Sequence, residues 1–103
     1  MVRRTRIISW TPFALNSKQE IFSYWNNRNK SKTYSQKLNL EFRNALIKVA
    51  KIPKTGIQTD EDEVRITLFT HFELIYKISE QEINVLDIFD TRQNPSNYPL
   101  KEN

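Results

Sequence analysis

The chain has 103 residues, which is the size of one domain with one core. Its hydrophobic content of 38% is typical of a globular protein, and the absence of cysteine excludes disulfides and thiolate metal sites. Sixteen Lys and Arg against twelve Asp and Glu give a formal net charge of +4, which favours a polyanionic target or an acidic partner.

The basic N-terminus, MVRRTRIISW, holds only Ile7 and Ile8 as an apolar run before polar residues follow. A signal peptide needs a longer apolar run, and no other stretch approaches the roughly 20 residues of a membrane-spanning helix. The sequence therefore predicts a cytoplasmic protein, in agreement with its lack of cysteine.

A short strand around Ile7 and Ile8 is followed by a first predicted helix over about residues 12–26. Thr11 supplies a hydroxyl N-cap, and Pro12 stands at the first helical position, where its missing N–H does no harm. Apolar residues share one helical face: Ala14, Leu15, Ile21, Phe22 and Trp25. The polar run NNRNKSK then ends the helix.

A second helix is predicted from an amphipathic stripe of about 17 residues. The stripe consists of Tyr34, Leu38, Phe42, Ala45, Leu46 and Val49. Ser31 or Thr33 is the predicted cap, and Thr33 with Gln36 has the spacing of a capping box. The run IPKTG, which contains Pro53 and the only glycine, Gly56, ends this helix.

From Val64 onward the apolar residues alternate, which predicts strands. The runs VRITLF, FELIYKI and INVLDIFD are joined by short connections, as in a three-stranded antiparallel meander, and the last run is apolar enough for an interior strand. The predicted fold class is α+β: an N-terminal strand, a helical hairpin and the meander, with the helices on one face of the sheet. Residues 1–103 are expected to form a single domain in which residues 96–103 are a flexible tail.

Two arginines are the candidate site residues. Arg65 alternates with Val64 and Ile66, so we expect it on the sheet face that the helices leave uncovered, while Arg92 follows the interior strand. Two guanidinium groups on one face can bind a phosphate and stabilise developing charge. The alternative is a pair of ordinary surface arginines, paired with Glu73 or Asp90.

No motif for a cofactor or a metal is found. His71 lies in the tight link between two strands and is expected to be a polar turn residue, since a single histidine without a fixed partner makes a poor acid–base catalyst. The acidic run DEDE lacks the spacing and the glycine of an EF-hand, which favours a solvated loop. We therefore predict no cofactor and no metal.

The order of these features resembles the RelE/ParE superfamily of toxins from type II toxin–antitoxin systems, which includes plasmid stabilisation proteins. The resemblance rests on a first strand ending in WTP, an aromatic first helix with YW, and YSQKL at the start of the second helix. A P..G break, then VR, LIY and a last strand ending in DTRQNP complete it, over roughly residues 5–95. The family fold is the α+β arrangement predicted above.

The resemblance implies a bacterial, growth-inhibiting toxin that a cognate acidic antitoxin neutralises. RelE-like members cleave mRNA on the ribosome, where basic side chains stabilise the scissile phosphate, whereas ParE-like members poison DNA gyrase. The family match assigns catalytic roles to Arg65, Arg92 and Tyr98 if the chain is a nuclease. Glu73 stands where nuclease members carry arginine, and its negative charge would repel the phosphate.

Three functions therefore follow from the resemblance. The first is a toxin that binds and poisons DNA gyrase, which Glu73 favours. The second is a ribosome-dependent mRNA endoribonuclease, and the third is a non-toxic, degenerate member that is retained as a binding module. For the antitoxin contact, Phe69 and Ile75 are predicted because each lies on the strand face opposite its core-facing neighbours; the alternative is a minor core on that face.

Overall fold

A computed structural model describes residues 5–92, so Tyr98 and the predicted tail at 96–103 lie outside the described residues. The chain forms β1 (Ile7–Trp10), α1 (Pro12–Asn29), α2 (Thr33–Lys51), a 3-10 turn (Pro53–Thr55), β2 (Ile57–Gln58), β3 (Val64–Phe69), β4 (Phe72–Ile78) and β5 (Glu82–Asp90). The order of a strand, a helical hairpin and further strands that include β3, β4 and β5 confirms the predicted α+β class. The two-residue β2 was not predicted.

One five-stranded sheet with the order β1-β5-β4-β3-β2 holds all the strands described. β3, β4 and β5 form the predicted antiparallel meander, and β1 pairs in parallel with β5. The meander is therefore part of a mixed sheet, with β1 and β2 as its edges. β5 lies between β1 and β4, which confirms that it is an interior strand.

α1 begins as predicted, because the Thr11 hydroxyl oxygen accepts a hydrogen bond from the Ala14 N–H at 3.0 Å and Pro12 occupies the first turn. The same hydroxyl donates to the Leu86 carbonyl at 3.2 Å, which joins the helix start to β5. α1 ends three residues later than predicted, at a left-handed Lys30 whose N–H donates to the Asn26 carbonyl.

The predicted capping box of α2 is wrong. Lys32 is the N-cap residue, and none of the described side chains caps the helix. Ser31 instead accepts the Thr33 N–H at 3.1 Å, which shapes the tight link between the helices. The amphipathic stripe is confirmed, since Leu38, Phe42 and other apolar residues of α2 are buried.

The core lies between the two helices and one face of the sheet. Phe42 is its centre, with ring centroids at 6.3 Å from Phe22, 5.9 Å from Phe69 and 5.1 Å from Phe72. The principal cluster of buried side chains consists of Ala14, Ile21, Leu38, Phe42, Leu46, Phe72, Leu74, Val85 and Ile88. The side chains of Phe72 and Leu74 mark the helix-covered face of β4. None of the helices described is long and apolar enough to cross a membrane.

Candidate functional site

Arg92 is held rigidly just after the last residue of β5. The N–H and the hydroxyl of Thr91 donate to the His71 carbonyl at 2.7 and 2.9 Å, which ties this turn to the β3–β4 link. Asp90 accepts the Arg92 backbone N–H at 2.9 Å through Oδ1. His71 is exposed and supplies a carbonyl to the turn, as expected of a turn residue.

The guanidinium of Arg92 forms a two-bond ion pair with Asp90. Its Nε lies 3.0 Å from Oδ1 and its Nη2 lies 3.0 Å from Oδ2. The carboxylate raises the pKa of Arg92 through these hydrogen bonds. The predicted alternative, a pairing of Arg92 with Asp90, is therefore what the structure contains, and this carboxylate already compensates the charge of Arg92.

An aromatic group on α1 completes the surroundings of Arg92. Its guanidinium carbon lies 4.7 Å from the centre of the Trp25 ring, and Trp25 makes edge contacts with Tyr24 and Tyr34 at 5.0 and 5.1 Å. Arg28 lies 6.0 Å from the same indole. Tyr24, Trp25 and both arginines, with Asp90, line an open depression of about 390 Å³. The aromatic content of α1 was noted in the sequence, but its contact with Arg92 was not predicted.

Replacing Arg92 with alanine is expected to lower the free energy of unfolding by about 1–2 kcal/mol, because it removes the ion pair and the stacking on Trp25. Arg28→Ala is the matched control, since Arg28 is farther from the same ring and is expected to change stability by less than about 0.5 kcal/mol. Urea denaturation of both variants measures the difference. Equal effects of the two substitutions would contradict the role assigned to the Asp90 pairing.

The predicted placement of Arg65 is wrong. Arg65 pairs across the sheet with Tyr76, whose side chain packs with Val49 and Ala50 of α2, so both lie on the helix-covered face. The Arg65 Nη1 donates to the Gly56 carbonyl at 2.9 Å and to the Lys54 carbonyl at 3.3 Å. The arginine therefore anchors the segment after α2.

The structure does not bring Arg65 and Arg92 together. Arg65 is opposite Tyr76 on β4, whereas β5 ends at Asp90, which is opposite Phe72. Tyr76 and Phe72 are four positions apart on β4, which is roughly 13 Å along the strand, and β4 itself lies between β3 and β5. Each guanidinium is also fixed on a different partner. The two-arginine phosphate site expected from the sequence is therefore not formed by these side chains.

Glu73 pairs with neither arginine. Its neighbours across the sheet are Leu68 on β3 and Phe89 on β5, which places it on the face opposite Phe72. Its Oε1 is buried and accepts no hydrogen bond from any residue between 5 and 92. The prediction that Glu73 neutralises one of the two arginines is therefore wrong, and Asp90 has that role for Arg92.

Phe69 is half-buried and Ile75 is buried, and their contact with an antitoxin stays a prediction. Phe69 packs edge-on against Phe42 of α2, so its predicted position on the uncovered face is wrong; it lies half-buried against the core on the helix-covered face. Ile75 lies on the opposite face, as predicted, but is only 1% exposed. The predicted alternative, a minor core on the face opposite the helices, agrees with the burial of Ile75 only.

A second cleft, not predicted from the sequence, lies between α1 and the last part of β5. Asp87 lies in it beside Ser17 and Glu20, with a volume of about 340 Å³. Burial, together with the charge of Glu20, raises the pKa of Asp87, while hydrogen bonds from Ser17 and from the Ile88 N–H partly offset this. The Ile88 N–H donates to Oδ1 at 2.8 Å. The carboxylate is thus held where its charge is unfavourable.

Asp87→Asn is therefore expected to raise the thermal midpoint at pH 7. A raised pKa means that the folded state favours the protonated acid, so this contribution to stability is complete below the ordinary value of 3.8 and is lost as the pH rises above it. The side-chain oxygen of asparagine can still accept the Ile88 N–H, but it carries no charge. Thermal unfolding at pH 7 and pH 3 tests this: the gain is expected at pH 7 only, and an equal gain at both pH values would contradict it.

Comparison with known proteins finds similarity in structure but not in sequence. No family model matches the chain, and no curated protein matches it. Among solved structures, it is similar to a chain described as "Chromosomal ParDE TA system from P. aeruginosa", with a TM-score of 0.70 and 14% sequence identity. The match covers 85% of this chain and 98% of the other. The chain therefore has the α+β fold of a ParDE system component, as the RelE/ParE resemblance implied.

Proposed function

We propose that this protein is the toxin of a type II toxin–antitoxin pair, and that it acts by binding and poisoning DNA gyrase. The fold shared with a ParDE chain supports a toxin–antitoxin module. The observation that carries the mechanism is the state of the arginines: Arg92 is bound by Asp90, and Arg65 is fixed far from it on backbone carbonyls.

RNA cleavage by RelE-like toxins requires cationic groups that converge on the scissile phosphate, because charge develops there in the transition state. An arginine that is already compensated by a carboxylate stabilises additional negative charge less well. Arg65 and Arg92 are also bonded to different partners at separate places on the sheet, so they do not converge on one phosphate in this arrangement. Recognition of a protein surface needs no such convergence, so a binding mechanism agrees better with this arrangement.

An acidic antitoxin is the expected partner in the cell. The chain carries a net charge of +4, and acidic partners bind basic surfaces with long-range attraction that speeds association. Part of the antitoxin is expected to be disordered when free and to fold onto this protein, as is common for regulatory segments.

Induced expression in bacteria without any partner tests the proposal. We expect growth to stop, double-strand DNA breaks to accumulate and transcripts to stay intact, with purified protein inhibiting supercoiling by gyrase. Breaks are scored on pulsed-field gels, and transcript 5′ ends are mapped by primer extension.

Three other results would contradict the proposal in different ways. Transcript cleavage that Arg92→Ala abolishes would assign an mRNA endoribonuclease. Growth arrest with neither breaks nor cleavage would exclude gyrase as the target. Normal growth at a confirmed soluble level would identify a non-toxic binding module.

A further inference from the structure

The uncovered face of the sheet, which is the face of β2, β3 and β4 that points away from the helices, exposes large apolar side chains. Ile57 is opposite Ile66 and Ile66 is opposite Ile75, so these three residues form one row across the strands. Leu68 and Glu73 are opposite each other in the next row. Ile57 is 55% exposed and Leu68 is 60% exposed. Neighbouring apolar side chains that face solvent in this way mark a surface for protein contact.

Glu73 lies in this face with a charge that no described residue compensates. Its neighbours across the sheet, Leu68 and Phe89, are both apolar. Its Oε1 is buried and accepts no hydrogen bond from residues 5–92. A buried carboxylate oxygen without a donor is unfavourable, and a cationic side chain placed beside it would supply both a donor and the opposite charge. The uncovered face therefore has a defined position for one ammonium or guanidinium group.

The charges near this face are mainly negative, although the chain as a whole is basic. The loop between β2 and β3 contains the exposed acidic run DEDE at residues 60–63. Within residues 5–92, neither this run nor Glu73 forms an ion pair. Lys77 is opposite Val64, roughly 13 Å along β4 from Glu73, and does not neutralise that carboxylate. This distribution of charge favours a basic partner.

We propose that the uncovered face binds a segment of a second protein partner in which a lysine or an arginine is flanked by apolar residues. The cationic group pairs with Glu73, and the apolar side chains pack on Leu68 and Ile57, which exclude water from the ion pair. This partner is opposite in charge to the acidic antitoxin. The proposal does not depend on toxicity or on the identity of the toxin's target.

Other occupants fit this surface less well. A nucleic acid would bring phosphates towards Glu73 and the acidic loop, which repel them. A second copy of this chain that met the face symmetrically would bring the same carboxylates to it. Both would add negative charge to a site that already holds an uncompensated carboxylate, so charge complementarity favours the basic segment.

Selection of peptides tests the proposal without knowledge of the natural partner. Random 12-residue peptides displayed on phage are selected against the wild-type protein, and the enriched sequences are synthesised. We expect a lysine or an arginine between apolar residues. Affinity is expected to fall by about tenfold or more with Glu73→Gln, which removes the charge pair, and by about fivefold with Leu68→Ser, which removes apolar contact.

Two control variants make the same chemical changes elsewhere. Leu40→Ser matches Leu68→Ser, because Leu40 is also 60% exposed but lies on α2. Glu80→Gln matches Glu73→Gln, because Glu80 is exposed in the turn between β4 and β5. Both controls are expected to leave peptide affinity within about twofold of wild type. Circular dichroism of every variant confirms that the fold is kept.

Thermal unfolding distinguishes a docking role of Glu73 from a structural one. Without peptide, Glu73→Gln is expected to have a thermal midpoint at least as high as that of wild type, because an uncompensated charge is removed. The selected peptide is expected to raise the midpoint of wild type more than that of Glu73→Gln. A lower midpoint for free Glu73→Gln would show that the carboxylate stabilises the fold, and would overturn the proposal.

NMR spectra locate the bound peptide. The backbone amide signals of Ile57, Leu68 and Glu73 are expected to shift on addition of the selected peptide, because these residues lie in the contact. Shifts confined to the helices would place the peptide elsewhere and would contradict the proposed surface.

The proposal is also overturned if no peptide is enriched, or if the enriched peptides lack a cationic residue or are insensitive to Glu73→Gln. Competition by a 12-nucleotide single-stranded DNA would assign the face to nucleic acid, and dimers in sedimentation that Leu68→Ser dissociates would assign it to a second copy. None of these measurements depends on growth arrest. Failure here and failure of the growth assay are therefore separate results.

Discussion

Gly56→Ala is expected to destabilise the protein by about 2–4 kcal/mol. A Cβ at Gly56 would collide with the Tyr76 hydroxyl and would lie 3.0 Å from the Ile66 carbonyl oxygen. The backbone of Gly56, with φ −72° and ψ 163°, is one that any residue adopts. In such a conformation alanine normally stabilises a protein by restricting the unfolded chain, so the sign of the effect is decided by the collision.

The collision matters because Tyr76 cannot move away. The ring is fully buried, and its hydroxyl donates to the Pro53 carbonyl at 2.7 Å and accepts the Gly56 N–H at 3.1 Å. These bonds connect the sheet to the turn after α2. The Gly56 carbonyl in turn accepts from Arg65 at 2.9 Å. A side chain at residue 56 would therefore disturb the anchor of Arg65 as well as Tyr76.

Tyr76→Phe provides the control. Alone, it is expected to cost about 1–3 kcal/mol, because it removes the hydroxyl and leaves buried partners unsatisfied. In the Tyr76→Phe background, Gly56→Ala should cost less than in the wild type by about 1 kcal/mol or more, since the colliding oxygen is absent. Urea denaturation of the wild type, the two single variants and the double variant gives the four unfolding free energies of this double-mutant cycle. Additive effects would show that the collision is not the cause.

Local signals in the sequence predicted the helices well. The hydroxyl cap at Thr11, followed by Pro12, marks the start of α1, and the apolar stripe of α2 marks its buried face. These signals act over a few residues, so a sequence contains them in full. The pairing of Arg92 with Asp90 is equally local, at two residues, and was foreseen as an alternative.

The faces of β3 could not be assigned in this way. Alternation separates Val64 and Ile66 from Arg65 and Phe69, but both sets contain large apolar residues. Which set meets the helices depends on the register with β4, where Phe69 is opposite Phe72 and Arg65 is opposite Tyr76. A charged residue is accepted on the covered face because β3 lies near the sheet edge, where Arg65 reaches backbone carbonyls.

The candidate site depends on contacts between distant parts of the chain. Arg92 stacks on Trp25, and β1 pairs with β5, although more than 60 residues separate each pair. No pattern in a single sequence encodes which aromatic residue meets which arginine. A groove beside β1, lined in part by Trp10, Lys18 and Arg43, was missed for the same reason, since these residues come from three different elements.

Phe42→Ala is expected to cost about 3–5 kcal/mol, a large share of the roughly 5–15 kcal/mol that stabilises a domain. Phe42 is 1% exposed and contacts aromatic rings from α1, β3 and β4, so its loss leaves a cavity that the surrounding elements cannot close. Phe42→Leu keeps most of the volume and should cost less than about 1.5 kcal/mol. Equal costs for the two variants would contradict a tightly packed centre.

A double-mutant cycle between Phe42 and Phe69 then measures how much their contact contributes to stability. An edge-to-face pair at 5.9 Å is expected to show a coupling of about 0.5–1.5 kcal/mol. Phe69→Ala should therefore lower the free energy of unfolding and leave the binding of an antitoxin unchanged at temperatures where the variant is folded. No coupling, normal stability and weakened binding of an antitoxin would restore the sequence-based role of Phe69 as a contact residue. The two measurements separate the roles, because packing against Phe42 changes stability and an antitoxin contact changes binding.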